Sequence, residues 1–242
     1  MADWTRLVFM PDTTVITTQV RSSTVQINSR KAATAVFVTC VWWLVLAHAP
    51  SGGLPYNLYH PLLVALGVAC IVQGILVVQY ASQQERQQAL TLHQVFLVGL
   101  ALPLMGLGSY AMWYAHSLPG REHFVSWHGV IGFGLMCVIV LQILGGISIV
   151  WFGTSIYGSE NKAKAMYKYH RYVSHTPHTT YKSISGYAIG SVLSVQLFLA
   201  FWELPYTRLV TPTPVAIIGT ASVCIMLYGI TRGIHLAKLG FT

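Results

Sequence analysis

The feature that most constrains this chain is the absence of charge over long stretches. After Lys31 the next Asp, Glu, Lys or Arg is Glu85, and similar gaps follow. About 20 consecutive apolar residues suffice to cross the core of a bilayer as a helix, so gaps of this length read as membrane spans. Composition agrees: 8% of the 242 residues are charged and 54% are hydrophobic, whereas a soluble domain averages about 25% charged. The pattern predicts an all-α fold, a six-transmembrane-helix bundle. The expected spans are Ala32–His48, Tyr59–Tyr80, Leu90–Ala115, Phe124–Phe152, Ser183–Trp202 and Val210–Leu236. Breaks fall at Pro50-Ser51-Gly52-Gly53, Ser82–Gln88, Pro119-Gly120, the long Gly153–Lys182 segment and Pro205, all with turn-forming or polar composition. The third and fourth spans are long enough to tilt or to project beyond the membrane. Residues 1-31 read as a polar tail, 32-236 as one membrane domain and 237-242 as a short C-terminus. Without an early apolar run, no cleaved leader is expected.

The net charge of +8 would point toward nucleic acid in a soluble protein. Between membrane spans it has a simpler source, the enrichment of Lys and Arg on the cytosolic side, and no nucleic-acid partner is expected. Twelve Lys and Arg residues fall on one side: in the N-terminal tail, the second loop, the fourth loop and the end. Two, Arg121 and Arg208, fall on the other. Both termini are therefore expected in the cytosol, with endomembrane or plasma membrane left open. Cys40, Cys70, Cys137 and Cys224 lie inside apolar stretches. They show no zinc or disulfide spacing and read as small buried hydrophobes.

Ten histidines in so apolar a chain call for an explanation, because an ionisable side chain within a span is costly and marks a functional site by default. His60 opens the second span, His93 the third and His128 the fourth. Alternating chain direction places His60 and His128 at lumenal ends and His93 at a cytosolic end, where a histidine opening the fifth span would join it. Gly67 and Gly74 follow His60 at seven-residue steps, and Gly146 follows His128 by eighteen, which keeps each set on one helical face. Such glycines leave space for a flat ring or let helices pack closely; both readings stand. Each histidine, taken alone, also reads as a polar group bonded to a carbonyl or interfacial water. Zinc or copper held by three histidines is disfavoured, since His93 lies at the opposite depth from the other two. Haem suits two same-depth pairs, because one iron takes two axial ligands from facing helices, and filling both positions favours electron transfer over oxygen chemistry. Tyr59, Trp127, Phe124 and Phe96 could pack on porphyrin or mark the membrane interface.

These residues resemble the cytochrome b561 family of transmembrane haem reductases. Tyr59-His60-Pro61-Leu62-Leu63 is similar to its second helix opening. Leu92-His93-Gln94, followed by Leu102 and Gly106-Leu107-Gly108, is similar to its third. His123-Phe124-Val125-Ser126-Trp127-His128-Gly129 is similar to its fourth, and the three histidines stand 33 and 35 residues apart. The resemblance spans roughly residues 32–236. In the fifth helix the family pattern is His-Arg-x-Ser-Gly-Tyr. Here Tyr167-Lys168-Tyr169-His170-Arg171 is separated from Ile184-Ser185-Gly186-Tyr187 by Tyr172–Ser183, as though a segment had been inserted. His170 returns as ligand if the insert loops out. His178 lies one turn before Lys182, behind Pro177, which suits a helix start. A deprotonated Lys182 and loss of that haem are the remaining outcomes.

The resemblance implies a central four-helix haem-binding core with two b-type haems (one if the fifth-helix ligand is lost). Their axial ligands are His60 with His128 on the lumenal side and His93 with His170 or His178 on the cytosolic side. It implies ascorbate as cytosolic electron donor and monodehydroascorbate or a ferric chelate as acceptor. Arg86, with Lys162 and Lys168, would attract the anionic donor, although these lysines equally read as topology signals alone, and His116 would face the acceptor, with Arg121 and His123 as neighbours; a homodimer is left open. The alternative class is a structural or single-haem membrane subunit. A proton-coupled transporter is disfavoured, because its relays usually need Asp, Glu, Lys or Arg within the spans.

Overall fold

A computed structural model describes residues 13–79, 81–118, 120–170, 184–202 and 213–231. The described regular structure is all helical. Helix α1 is Thr13–Ala47, α2 Tyr56–Gln79 and α3 Arg86–Ser117, in which Val95–Ala101 is a π-helical segment. Helix α4 is Trp127–Val150, α5 Gly153–Tyr157, α6 Glu160–His170, α7 Ile184–Trp202 and α8 Thr213–Thr231. Among the described residues, four helices are long and apolar enough to cross a membrane: Asn28–Ala47 within α1, then α2, α3 and α4. The apolar described parts of α7 and α8, Ile189–Trp202 and Thr213–Met226, are shorter.

The helix boundaries have local causes. Helix α1 begins well before its apolar part, so much of the expected polar tail is helical. Proline 103 lacks an N–H and crowds the carbonyl four residues earlier. Just before it the helix widens, and the Leu102 N–H donates to the Leu97 carbonyl, five residues back. Helix α4 opens on Ser126, whose backbone is extended and whose Oγ accepts from the Gly129 N–H at 3.1 Å, the usual N-cap arrangement. Phe124, just upstream, has φ 58°, a conformation that is strained for a bulky residue. The first half of the expected long fourth loop is helical: Gly158, at φ 77°, separates α5 from α6. Pro119, Pro205, residues 237-242 and the Tyr172–Ser183 insertion lie outside the described residues.

Packing follows a curved row. Helix α3 lies on α2, α2 on α1, α1 on α8, α8 on α7 and α7 on α4, with α6 against α4. One apolar cluster runs through this row, including Phe37, Val68, Met105, Ile139, Leu197 and Val223. Phe37 of α1 meets Phe201 of α7 edge to face at 6.2 Å. The outward surfaces are apolar too: Leu141 is 68% exposed and Leu107 and Phe133 59%. That pattern suits lipid as the surrounding solvent, since water would penalise so continuous an apolar surface.

Candidate functional site

Helices α2 and α3 run antiparallel and exchange a matched pair of hydrogen bonds. His60, in the second turn of α2, donates from Nδ1 to the Gly108 carbonyl of α3 at 3.1 Å. His93, in α3, donates from Nδ1 to the Gly74 carbonyl of α2 at 2.8 Å. Donation to a carbonyl requires the proton on Nδ1, which leaves Nε2 with a free lone pair. From His60 to Gly74 is 14 residues, and from His93 to Gly108 is 15. At 1.5 Å per residue the first separation is about 21 Å. The π segment lies between His93 and Gly108, and its wider turn absorbs the additional residue. The two histidines therefore sit at opposite ends of one helix pair, as expected, each held by the backbone of the other helix.

Glycine is required where these carbonyls approach. A Cβ at Gly108 would lie 3.1–3.2 Å from Val64, Leu63 and the His60 carbonyl. A Cβ at Gly74 would run into Leu97 and stand 3.1 Å from Phe96, and one at Gly67 would run into Met105. Gly67 and Gly74 thus share a face, and that face is filled by α3. Of the two readings of these glycines, close helix packing is the one observed.

The rings of His60 and His128 meet edge to face, their centres 6.1 Å apart and their planes 89° apart. Among the described residues α2 and α4 have little backbone contact, so these rings reach across a gap between helices. Gln196 of α7, 7% exposed, donates from Nε2 to the His128 carbonyl at 2.6 Å and to His128 Nδ1 at 2.9 Å. Gln196 was not singled out from the sequence; the available signal was an amide within an otherwise apolar run.

Residues 59–178 match the sequence profile described as eukaryotic cytochrome b561. The chain belongs to that family. No curated protein and no solved structure gives a significant match. Family membership makes this a membrane electron-transfer protein of oxidoreductase type that binds b-type haem. The cytochrome b561 match runs from Tyr59 in α2 through α3, α4, α5 and α6 and ends at His178, before Ile184-Ser185-Gly186-Tyr187.

The other expected site residues distribute over the two ends. Arg86 opens α3 at the His93 end and is exposed, as is Lys162 on α6. Lys168 and His170 lie in the last turn of α6. His178 and Lys182 lie outside the described residues, so the partner of His93 is not brought to it among those described. At the His60 end, His116 donates from Nδ1 to the Glu122 carbonyl at 3.2 Å and stacks on His123 at 5.8 Å. His123 stacks in turn on Trp113 at 5.7 Å. Tyr59, Phe124 and Trp127 are exposed, which favours the interfacial reading of these aromatics. Phe96 packs toward Gly74.

Proposed function

We propose that this cytochrome b561 carries electrons across the membrane between two b-type haems, one at each end of the α2–α3 pair. His60 and His128 would hold the haem at one end. At the other, His93 pairs with His170 or His178. The observation that carries the reading is the His60–His128 ring pair at 6.1 Å. At that separation the two imidazoles would hold one haem between helices α2 and α4. The Nδ1–H bond of His60 to Gly108 supports it further, since a metal-binding histidine normally donates its other ring N–H to a fixed acceptor. His93 has the same bond to Gly74.

A bound b-type haem supplies one-electron chemistry. The chain supplies the rest. Two histidines holding each haem would favour electron transfer over oxygen chemistry. The glycine carbonyls orient the rings, and the apolar helices exclude water. In this reading the bundle has six spanning helices, with α2, α3, α4 and α7 as the haem-binding core and α1 and α8 beside it. Both termini face the cytosol. Arg86, Lys162 and Lys168 then share the His93 side, where they attract anionic ascorbate, while His116 lies on the side of a monodehydroascorbate or ferric chelate acceptor.

The test is a reduced-minus-oxidised absorption spectrum of the purified protein, with haem counted per polypeptide, before and after ascorbate. Two haems reduced by ascorbate are expected. One haem would reduce the protein to a single-site subunit, and none would sink the redox reading.

A further inference from the structure

Four tyrosines converge on one recess at the His60 end of the α2–α3 pair. Its volume is about 560 Å³, within the range of about 300–1,000 Å³ typical of small-molecule sites. Tyr56, Tyr59 and Leu63 line it from α2, at steps of three and four residues that keep them on one helical face. Leu107, Tyr110, Ala111 and Tyr114 line it from α3 with the same periodicity. Ala111 contributes only a methyl, which leaves room between the longer side chains. Leu107 and Tyr110 are 59% exposed, Tyr56 53% and Tyr59 40%. The recess therefore opens outward from the bundle, and its ring surface is not spent on helix packing.

Depth grades the recess. Tyr56 opens α2 and Tyr114 stands in the last turn of α3, so both lie at the membrane interface. Leu63 and Leu107 lie seven residues further in, about 10 Å along each helix. The mouth is therefore aromatic and the floor apolar. At the mouth the rings of Tyr56 and Tyr114 meet edge to face, 5.0 Å apart and at 89°. Tyr110 stacks on Tyr114 at 6.2 Å and 20°, so the rings form two walls at a right angle. Among the described residues, no Asp, Glu, Lys, Arg or His lines the recess. Such a corner offers electron-rich faces without a carboxylate, which suits a quaternary ammonium. That group has no N–H to satisfy, whereas a primary ammonium brings three donors that need acceptors.

We propose that the recess binds a choline phospholipid from the leaflet at the His60 end. The trimethylammonium group sits in the corner of Tyr56, Tyr110 and Tyr114, and an acyl chain lies along Leu63, Ala111 and Leu107. An interfacial aromatic belt meets all headgroups alike; a corner of ring faces chooses among them by their cation. Tyr59 and Leu107 directly neighbour His60 and Gly108, the two residues joined by the hydrogen bond between these helices. The bound lipid therefore braces that end of the pair, whether or not haem is present. The preference for choline over ethanolamine phospholipid should be on the order of tenfold, as a desolvated cation–π contact allows. Tyr110→Leu and Tyr114→Leu keep apolar bulk but remove ring faces, and each should bring the preference close to parity. Tyr110→Phe and Tyr114→Phe keep the rings and should retain it.

The experiment is native mass spectrometry of the full-length protein, stripped of lipid in detergent. It is then offered equal amounts of phosphatidylcholine and phosphatidylethanolamine with identical acyl chains. Preferential retention of phosphatidylcholine, lost in the leucine variants and kept in the phenylalanine variants, is the expected result. Equal retention of the two lipids by the parent protein would overturn the proposal and leave an ordinary aromatic belt. Loss of the preference in the phenylalanine variants would sink it as well, because a hydroxyl rather than a ring face would then be the recognising group. Should the leucine variants fail to fold, the parent and the phenylalanine variants decide. Free choline is the other source of the same chemistry. Choline chloride at millimolar concentration should leave the melting temperature unchanged, since it cannot fill the apolar floor; a saturable rise would assign the recess to a soluble ligand instead.

Discussion

The two ends of the α2–α3 pair are built alike on one side and differently on the other. At each end a histidine donates to a glycine carbonyl of the neighbouring helix, at 3.1 Å for His60 and 2.8 Å for His93. This half of each site depends only on two antiparallel helices joined by a short connection. The facing half comes from elsewhere. His128 arrives on α4, behind a capped turn, with Gln196 of α7 against its ring. In the proposed reading the facing ligand for His93 is His170 or His178, on either side of the point where the sequence departs from the family pattern. A helix pair can thus orient two histidines by its own backbone, whereas on the proposed reading each site is completed by a third element whose position is set separately. A change in one partner segment need not disturb the other end.

The largest test of that independence removes one ligand at a time. His128→Ala should lose one haem of two and leave the other bound, and His60→Ala should lose the same one. His93→Ala should lose the other. Haem per polypeptide, read with the absorption spectrum, checks this; loss of both haems from His128→Ala would break the comparison. A deletion sharpens the weaker end. Removing Tyr172–Ser183 joins His170-Arg171 directly to Ile184-Ser185-Gly186-Tyr187, restoring the family pattern. That variant should hold two haems and should lose one when His170 is also replaced by Ala. In the full chain, whichever of His170→Ala and His178→Ala loses the haem identifies the natural ligand.

A smaller effect is expected at the glycines. In Gly74→Ala the added methyl meets Leu97 and Phe96, so α2 and α3 must separate at the His93 end. Overpacking of this kind costs about 1–3 kcal/mol. Loosening should weaken haem retention at the His93 end more than at the other. Gly108→Ala should do the reverse, because its new methyl meets Val64, Leu63 and the His60 carbonyl. Thermal release of haem in detergent, followed at each band, compares the two; equal loosening of both ends in either variant would contradict the local account.

Much of this was legible in the sequence, and the limits have physical reasons. Charge-free gaps announce spanning helices because lipid tolerates few charges. The opposite depths of His60 and His93 followed from helix direction alone. The π segment was not legible from the spacing, although Pro103 is the residue that disturbs the ladder there. Nor was the role of the glycines decided, since spacing shows which face a glycine occupies but not what fills it. Gln196 escaped notice because its importance depends on a partner 68 residues away. Arg30 was counted only as a topology charge, yet it is 4% exposed and donates to Gln79 Oε1 at 3.2 Å. In each case the missing information was a contact between helices, and sequence periodicity does not encode which faces meet.

The smallest expected effect isolates how His128 is delivered. Ser126 accepts the Gly129 N–H in an N-cap two residues before His128, and the strained Phe124 precedes it. Ser126→Ala removes the acceptor and leaves the Gly129 N–H to solvent or headgroups, at a cost of about 0.5–2 kcal/mol. The lost order is confined to the first turn of α4, so the His93 end should not respond. Hydrogen exchange at Gly129 and Val130 should rise, and the His60–His128 haem should be released at a lower temperature than in the parent. Asp at the same position should restore both, because its carboxylate also caps and additionally complements the positive end of the helix dipole. If Ser126→Ala changed both haems equally, the turn would be acting through the whole bundle, and the independence of the two ends would not hold.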